Sequence, residues 1–459
     1  MSATAVDLGR PERQASTRAE SWFSWGGAIG PLVLVVWAVP IKTYRLPVAL
    51  PFSLETYRLL LIVLVGAWGV AIVTGSRQVS AAGLGKPLGL LAAVGVLSIV
   101  ANTNALSGAG LESQAIKSLS YFLSFLLAYL LVCSTIQTLP AADLVVRALV
   151  LGAAAIAILA VYEARTNYDV FDHLHKWFPF LEPTRAIKES ARRGTRLRVH
   201  ASAQHPIALG AALTMAMPLA AYLAARARNQ ASSFFWGATG VLCVVGALTT
   251  VSRTVVSMAI AMTIVTLLVR KQVVARFWPF AIVLLAAVHL AAPHTLGSLY
   301  HSFLPKGGLV HSQTARGGNV GSGRVADIGP GLRSWRQAPV FGHGLGTGKV
   351  ARSNEPGAIV DPKTGAPIIF DDQYLNSLVS IGLVGLIGVL WFVWGGVRRM
   401  VTTARRFTGH ASDLVAACAI ACAGFGVGML TFDAFAFVQC TLVFFVIAAI
   451  GLRTRTLVE

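Results

Sequence analysis

Charged residues are scarce in this sequence. Asp, Glu, Lys and Arg together make up 12% of its 459 residues, and 55% of the residues are hydrophobic. Soluble globular proteins usually carry about 25% charged residues. The shortage excludes a soluble enzyme, a disordered chain and a coiled coil, because each of these needs far more polar surface. The sequence therefore predicts a protein that is embedded in lipid over most of its length.

Cysteine is also scarce. The five cysteines all lie inside apolar runs, and none has the neighbours of a zinc ligand: Cys133, Cys243, Cys418, Cys422 and Cys440. These positions exclude a secreted disulfide scaffold and favour small residues that fill a core. The first 22 residues are polar and hold no short apolar stretch with a small-residue cleavage site. We expect a cytosolic tail there and no cleaved signal peptide.

Long apolar runs are abundant. A helix that crosses a bilayer needs about 20 residues, with a range of about 17–25. Twelve runs have a suitable length: 25–41, 57–75, 87–103, 117–135, 142–162, 205–225, 233–250, 253–270, 277–293, 374–396, 412–430 and 433–451. The sequence thus predicts an all-α polytopic membrane protein with about twelve transmembrane helices. Residues 1–22 form its tail, and residues 23–459 form a single transmembrane domain.

Positive charge sets the orientation. With the N-terminus inside, the inner connections carry basic residues and almost no acid: Arg77, Lys86, Arg226, Arg228, Arg270, Lys271, Arg276, Arg398, Arg399, Arg405, Arg406, Arg453 and Arg455. Such an excess of positive charge is typical of cytoplasmic loops. We therefore expect both termini in the cytosol and two long loops in the periplasm, at 164–204 and 294–372. The second loop is large, rich in Gly, Ser and His, and should contain short helices.

The two long outer loops are strongly basic. They hold Arg165, Lys176, Arg185, Lys188, Arg192, Arg193, Arg196, Arg198, Lys306, Arg316, Arg324, Arg333, Arg336, Lys349, Arg352 and Lys363. These charges are either solvated and close to lipid headgroups, or they line a phosphate-binding cavity at the outer surface. Arg253, at the outer start of the eighth run, is the best single candidate for gripping a phosphate. Its ordinary alternative is a helix-end arginine that reaches toward the headgroups.

Other outer residues are candidates with ordinary alternatives. His343 lies in a glycine-rich stretch at 342–348, where it is either a base or a loop histidine with satisfied hydrogen bonds. That stretch is no dinucleotide fingerprint, because it has no strand before it and no helix after it. His205 precedes Pro206 and is either a ligand or a helix cap.

Two adjacent carboxylates, Asp371 and Asp372, precede the tenth run. They either stabilise the start of a helix or act as a general base, or orient one. A metal site needs more oxygen ligands, and the first two outer connections, which are short, offer only Glu55 and Glu112. We therefore predict no metal and no cofactor.

Three segments resemble the O-antigen ligase family, within the wider set of O-antigen ligases and polymerases. They are Arg196-Leu197-Arg198 with His205-Pro206-Ile207-Ala208-Leu209-Gly210; Ser252-Arg253; and the stretch from Gly323-Arg324 through Trp335 and Pro339-Val340-Phe341-Gly342-His343-Gly344-Leu345-Gly346 to Asp371-Asp372-Gln373-Tyr374-Leu375 and Gly382-Leu383-Val384-Gly385. The likeness covers roughly residues 190–390. Many members have His-Asn where this chain has Asp371-Asp372. The base is therefore Asp371, Asp372 or His343, or no base is needed.

The resemblance implies glycosyl transfer at the periplasmic face of the bacterial inner membrane. The donor would be O-antigen on undecaprenyl diphosphate, and the acceptor a sugar hydroxyl of lipid A–core. Arg253 and Arg324 would hold the diphosphate. Further candidates for binding the donor or acceptor are Arg196, Arg198, His205 and Arg333. We expect contact with membrane lipids, no nucleic acid and a monomer.

Three alternative functions remain open at the level of sequence. An O-antigen polymerase and a protein O-oligosaccharyltransferase use the same donor and differ only in the acceptor. A lipid or glycan transporter belongs to another class and would be expected to bury ionisable residues or broken helices near the middle of the membrane. The predicted crossings are nearly free of charge at their centres, which favours chemistry at one surface over transport.

Overall fold

The chain folds almost entirely into α-helices. The structure, a computed structural model, describes residues 24–41, 43–45, 55–183, 192–193, 196–277, 328–347 and 370–459. In these ranges the helices are α1 Trp25–Ala38, α2 Thr56–Val73, α3 Gly85–Ala101, α4 Thr103–Gly108, α5 Glu112–Thr135, α6 Leu139–Thr166, α7 Leu174–Trp177, α8 Pro206–Ala225, α9 Gln230–Thr249, α10 Arg253–Phe277, α11 Ile328–Trp335, α12 Gln373–Arg406, α13 His410–Gly428 and α14 Val438–Val458.

Short strands and 3-10 turns complete the described chain. Strands β1 Tyr44–Arg45 and β2 Glu182–Pro183 pair antiparallel, with Tyr44 opposite Pro183. Strands β3 Arg192–Arg193 and β4 Arg196–Leu197 form a second antiparallel pair, with Arg193 opposite Arg196. The 3-10 turns are Phe171–His173 and Ala434–Ala436. With so little sheet, the prediction of an all-α protein is confirmed.

Eleven of the twelve predicted crossings coincide with helices in the described part of the chain. Nine of these helices are long and apolar enough to span a bilayer, and two shorter apolar helices are α1 and α3. The predicted crossing at 277–293 lies outside the described residues beyond Phe277. The number of crossings and the location of both termini stay predictions. The multi-pass membrane character is supported by the nine long helices.

One predicted boundary is wrong by ten residues. The tenth run was expected to end at 396, with Arg398, Arg399 and Arg405 in a connection, yet α12 continues to Arg406. Long basic side chains can reach from a helix end to the headgroups, so charge does not end the helix where it ends the apolar run. Phe407 closes the helix in extended backbone.

The centre of the bundle is α13 and α14, the helices with the largest buried fraction along with α8. Small residues let them approach closely: a Cβ on Gly451 would overlap Cys418, and a Cβ on Gly424 would overlap Met262 of α10. Small side chains at such contacts are typical of membrane helices. All five cysteines are buried and free, which confirms that they fill the core.

The two ends of the bundle differ in charge and connection. At the basic end, where α8, α10 and α12 finish and α13 begins, Arg226 and Arg270 both pair with Asp413, and Arg270 also donates to the Ala404 carbonyl oxygen at 2.5 Å. The opposite end, here called the loop end, comprises residues 167–205, 249–254, 328–347, 370–373 and 429–437 as far as they are described. The residues predicted to be inner and outer are thus sorted to opposite ends.

Helix α12 is broken at Gly382, and N–H groups of the loop end form hydrogen bonds with the carbonyl groups that the break leaves free. Gly382 has φ +72° and ψ −173°, so the helical hydrogen-bond ladder is interrupted there. The N–H groups of His343 and Gly344 donate to the carbonyl oxygens of Val379 and Ser380 at 2.9 and 3.0 Å. Unpaired backbone groups are costly away from water, so this segment is an integral part of the bundle.

Replacing Gly382 with Ala should destabilise the protein. The backbone conformation is essentially restricted to glycine and costs other residues about 1–3 kcal/mol, and a Cβ would also overlap the Val340 carbonyl. Thermal unfolding of the detergent-purified protein measures the loss. Gly69→Ala is the matched control, because Gly69 lies inside α2 with open space around it. Its substitution should leave stability equal or raise it by about 0.5–1 kcal/mol. Equal unfolding temperatures for G382A and the wild type would contradict this account of the break.

Candidate active site

The connection between α13 and α14, residues 429–437, organises the loop end. The backbone N–H of Gln373, the first residue of α12, donates to the Met429 carbonyl oxygen at 2.8 Å. The side-chain oxygen of Gln373 accepts from the Phe435 N–H at 2.6 Å. Gln373 is buried, so these bonds are shielded from water. The connection thereby fixes the start of α12.

The same connection fixes the starts of α10 and α8. The hydroxyl groups of Thr254 and Thr431 lie 2.7 Å apart, which ties the first turn of α10 to the connection. The ring of His205 lies 5.5 Å from the ring of Phe437. Three helices therefore begin around one connection. Helix N-termini carry partial positive charge and unpaired N–H groups, which favour anions.

Arg253 follows a strained turn at the start of α10. Val251 is buried and has φ +48°, a backbone conformation that is rare for a β-branched residue. The hydroxyl of Ser252 is buried and has no hydrogen-bond partner among the described residues. Arg253 is half-buried, at a helix end where the dipole disfavours a cation. Backbone strain of this kind is typical of functional sites.

The two carboxylates before α12 are in different situations. Asp372 is the N-cap residue, and its Oδ1 accepts hydrogen bonds from the N–H groups of Tyr374 and Leu375 at 2.8 and 3.3 Å. This is the ordinary stabilising role of such a residue. Asp371 is half-buried and lies one residue outside the helix. Asp372 thus stabilises the start of the helix, and Asp371 lies next to it outside the helix.

The two candidate histidines both have structural contacts. His205 caps α8, with its Nδ1 accepting from the Ile207 N–H at 3.2 Å. The Nε2 of His343 lies 2.9 Å from the Ser334 carbonyl oxygen and 3.1 Å from the Ser334 hydroxyl. His343 therefore joins α11 to the break in α12. These contacts agree with the capping and loop-histidine interpretations, and a role in catalysis stays a prediction.

The remaining predicted arginines are described to different extents. Arg333 lies in the last turn of α11 and is half-buried, next to the Ser334 that His343 contacts. Arg198 is half-buried and follows β4. For Arg196 only the backbone, in β4, is described, and Arg324 lies outside the described residues. The prediction that Arg324 and Arg253 share a pocket is therefore not tested.

A small cavity lies beneath these helix starts. Its polar lining residues include Tyr121 of α5, Gln373, Asn376 and Ser380 of α12, and Asp433. Its volume of about 40 Å³ has room for a few water molecules. Asp433 is a carboxylate of the loop end that was not predicted from the sequence. Its position at the first residue of the last apolar run, beside a turn of a few residues, was the available signal.

A second group of polar residues was also missed at the root of the first outer loop. Glu163, Asp169 and His200 offer ligand atoms within 4.8 Å of one another. Only Glu55, Glu112, Asp371 and Asp372 were considered as possible metal ligands from the sequence, and this group was not. Glu163 falls in the last turn of α6, just past the apolar run of residues 142–162. An acidic residue at that boundary was the signal.

Comparison with known proteins adds a match to part of the chain. Residues 238–390 match the family model described as O-Antigen ligase. This segment is similar to the O-antigen ligase family. It covers one third of the chain and includes Arg253, His343, Asp371 and Asp372. No curated protein matches the chain.

The match confirms the resemblance to the O-antigen ligase family. It supports an activity of the O-antigen ligase or polymerase type, that is, a glycosyltransferase-like enzyme of lipopolysaccharide biosynthesis. The matched segment begins in α9 and ends in α12, so it contains two of the three helix starts at the loop end. The family segment and the candidate active site therefore overlap in this structure.

Replacing Gln373 with Met should weaken the loop end. The substitution keeps the length of the side chain but leaves the partly buried Phe435 N–H without its acceptor, which costs about 1–3 kcal/mol. Thermal unfolding in detergent measures the loss. Gln272→Met is the matched control, because Gln272 is exposed near the basic end of α10 and its substitution should change stability by less than about 0.5 kcal/mol. Equal effects of the two substitutions would show that the Gln373 contacts contribute little.

Proposed function

We propose that this protein is an O-antigen ligase. In this proposal it transfers an O-antigen glycan from undecaprenyl diphosphate to a sugar hydroxyl of lipid A–core. The reaction takes place at the loop end, which faces the periplasm from the bacterial inner membrane. The family match supports a reaction of this general type, and the apolar helices support substrates that are themselves lipids. The active unit is a monomer in contact with membrane lipids.

The position of Arg253 carries the proposal. It lies within the family segment, directly after the strained Val251 and at the start of α10. The guanidinium group and the N–H groups of the first helical turn both present positive charge there. A bound diphosphate would meet both the guanidinium group and the helix N–H groups. The site is thus arranged for an anion of high charge.

The chemistry follows from the charges of these groups. The acceptor hydroxyl attacks the anomeric carbon of the donor while the bond from that carbon to the diphosphate oxygen breaks. Arg253, together with Arg324 and Arg198, stabilises the negative charge that develops on the leaving diphosphate. The hydroxyl proton passes to a carboxylate, and the anomeric configuration is inverted. No metal takes part at the reacting atoms in this scheme.

Asp371 is the better candidate for accepting that proton. Asp372 already holds the start of α12 through its Oδ1, and hydrogen bonds to a carboxylate lower its basicity. Asp371 lies beside it and is half-buried. Asp372 then acts as a positioning residue, because it fixes the helix start from which Asp371 projects. His343 is held at Ser334 and has a structural role in this scheme.

Substitution of Arg253 tests the anion site. Glycan transfer should be measured with purified lipid-linked glycan and lipid A–core in reconstituted vesicles. R253A should lower transfer about 10²–10³-fold, because one preorganised donor to the developing charge is lost. R253K should also be impaired, since an ammonium group cannot make the two-pronged contact.

Lys271→Ala is the matched control for this experiment. Lys271 is an exposed basic residue of the same helix at the basic end, and its loss should leave transfer unchanged. Wild-type rates for R253A would remove the proposed role of Arg253. Attachment of the glycan to lipid A–core distinguishes a ligase from the alternative, a polymerase, which would lengthen the donor glycan instead.

Asparagine substitutions separate the two carboxylates. Asn caps a helix about as well as Asp, so D372N should keep both the fold and most of the transfer activity. D371N should lower transfer about 10²–10⁴-fold with an unchanged unfolding temperature, because the general base is lost. The opposite result, with D372N inactive and D371N active, would exchange the two roles, and full activity of both variants would exclude a carboxylate base.

A further inference from the structure

The group at the root of the first outer loop combines two buried carboxylates with one imidazole. Glu163 lies in the last turn of α6, Asp169 lies three residues beyond the helix, and His200 precedes α8. One potential ligand atom from each residue lies within 4.8 Å of the other two. Both acids are more than nine-tenths buried. This group is separate from the helix starts assigned to the reaction.

The local backbone holds the group in place. The two carboxylate oxygens of Glu163 accept from the N–H groups of His200 and Ala201 at 3.3 and 2.9 Å. Ala201 has φ +43°, a backbone conformation that an alanine seldom adopts. The Oδ1 of Asp169 accepts from the Phe171 N–H at 2.7 Å. Each carboxylate is thus fixed from one side by backbone donors.

The Oδ2 of Asp169 takes part in none of these backbone hydrogen bonds. It is fully buried, and among the described residues it pairs with the imidazole of His200, an ion pair that exists only when His200 is protonated. Its direction is toward the imidazole, since the Nδ1 of His200 lies 3.2 Å away. A buried carboxylate oxygen needs a cation or a donor, because water cannot solvate it there. The aim of this atom into the group points to a positively charged ligand.

The electrostatic environment of the group also favours a positively charged ligand. Burial, and next the neighbouring Glu163 carboxylate, raise the pKa of Asp169 to about 7, while His200 lowers it. Burial also raises the pKa of Asp172, a third carboxylate near His200. Among the described residues, two carboxylates and one imidazole meet at this place.

We propose that Glu163, Asp169 and His200 bind a divalent metal ion at the root of the first outer loop. Two carboxylate oxygens and one imidazole nitrogen are a donor set that suits Zn²⁺ or Mn²⁺ better than Mg²⁺ or Ca²⁺, which prefer oxygen alone. The His200 Nδ1 also lies 3.2 Å from the Ala201 carbonyl oxygen. Metal binding therefore requires the deprotonated nitrogen to turn from that oxygen toward the ion.

The ion would have a positioning role. His200 lies between Arg198 and His205, and the side-chain oxygen of Gln204 in the same segment accepts from the Val438 N–H at 2.9 Å. A metal ion that joins this segment to α6 would fix the backbone that carries Arg198 to the helix starts. The metal site itself does not depend on the proposed reaction, and its test needs no glycan substrate.

The test is metal binding by the full-length protein in detergent. The protein is first treated with a chelator and desalted, and then titrated separately with Zn²⁺, Mn²⁺, Ca²⁺ and Mg²⁺ by calorimetry. Bound metal is counted by mass spectrometry, and thermal unfolding is recorded with and without each ion. We expect one Zn²⁺ or Mn²⁺ per chain and an upward shift of the unfolding temperature. Ca²⁺ and Mg²⁺ should bind at least about 10-fold more weakly.

Near-isosteric variants decide whether the assigned residues hold the ion. D169N and E163Q should each weaken binding about 10-fold or more, and the metal should no longer raise their unfolding temperature. E112Q is the matched control, because Glu112 is an exposed acid of α5, and it should bind as the wild type does. The unfolding temperature of metal-free D169N shows whether the variant is folded. Absence of bound metal in the wild type, or binding by folded D169N equal to wild type, would overturn the proposal.

Discussion

The need to pair every backbone polar group without help from water governs this structure. Most of the chain meets it with continuous helices, in which each N–H finds a carbonyl one turn earlier. The break at Gly382 is the instructive exception. There the carbonyl oxygens of Val379 and Ser380 are paired with N–H groups of the segment around His343. A segment of the loop end thus becomes part of the bundle, and glycines are needed because backbone meets backbone at Gly342 and Gly382.

The same constraint explains how much of the fold the sequence predicts. An apolar run of about 20 residues in lipid has only one common solution, so eleven of the twelve predicted crossings coincide with helices in the described ranges. The break in α12 was not predicted, because Gly382 and Gly385 are equally compatible with a continuous membrane helix. The long extension of α12 to Arg406 was missed for a related reason, since polarity ends an apolar run without ending a helix.

The candidate active site was predictable residue by residue but not as an assembly. His205, Arg253 and Asp372 each lie at a helix start, where the residue type itself signals a cap or an unusual charge. Their helix starts are brought together by residues 429–437, a largely apolar connection that forms hydrogen bonds with Gln373 and Thr254. No local sequence pattern predicts these long-range hydrogen bonds. Glu163 and Asp169 were missed because they flank the end of an apolar run, where single acids are usually solvated.

The two sites proposed at the loop end, at Arg253 and at Asp169, would bind ligands of opposite charge. Arg253 stands at the positive end of a helix, so an anionic ligand would gain from both the guanidinium group and the helix N–H groups. Asp169 stands beside another carboxylate in a buried place, which raises its pKa, and a cationic ligand would gain there instead. In both places the proposed ligand has the charge opposite to that of the side chain. Stability of the loop end and occupancy of these sites should therefore be linked by mass action.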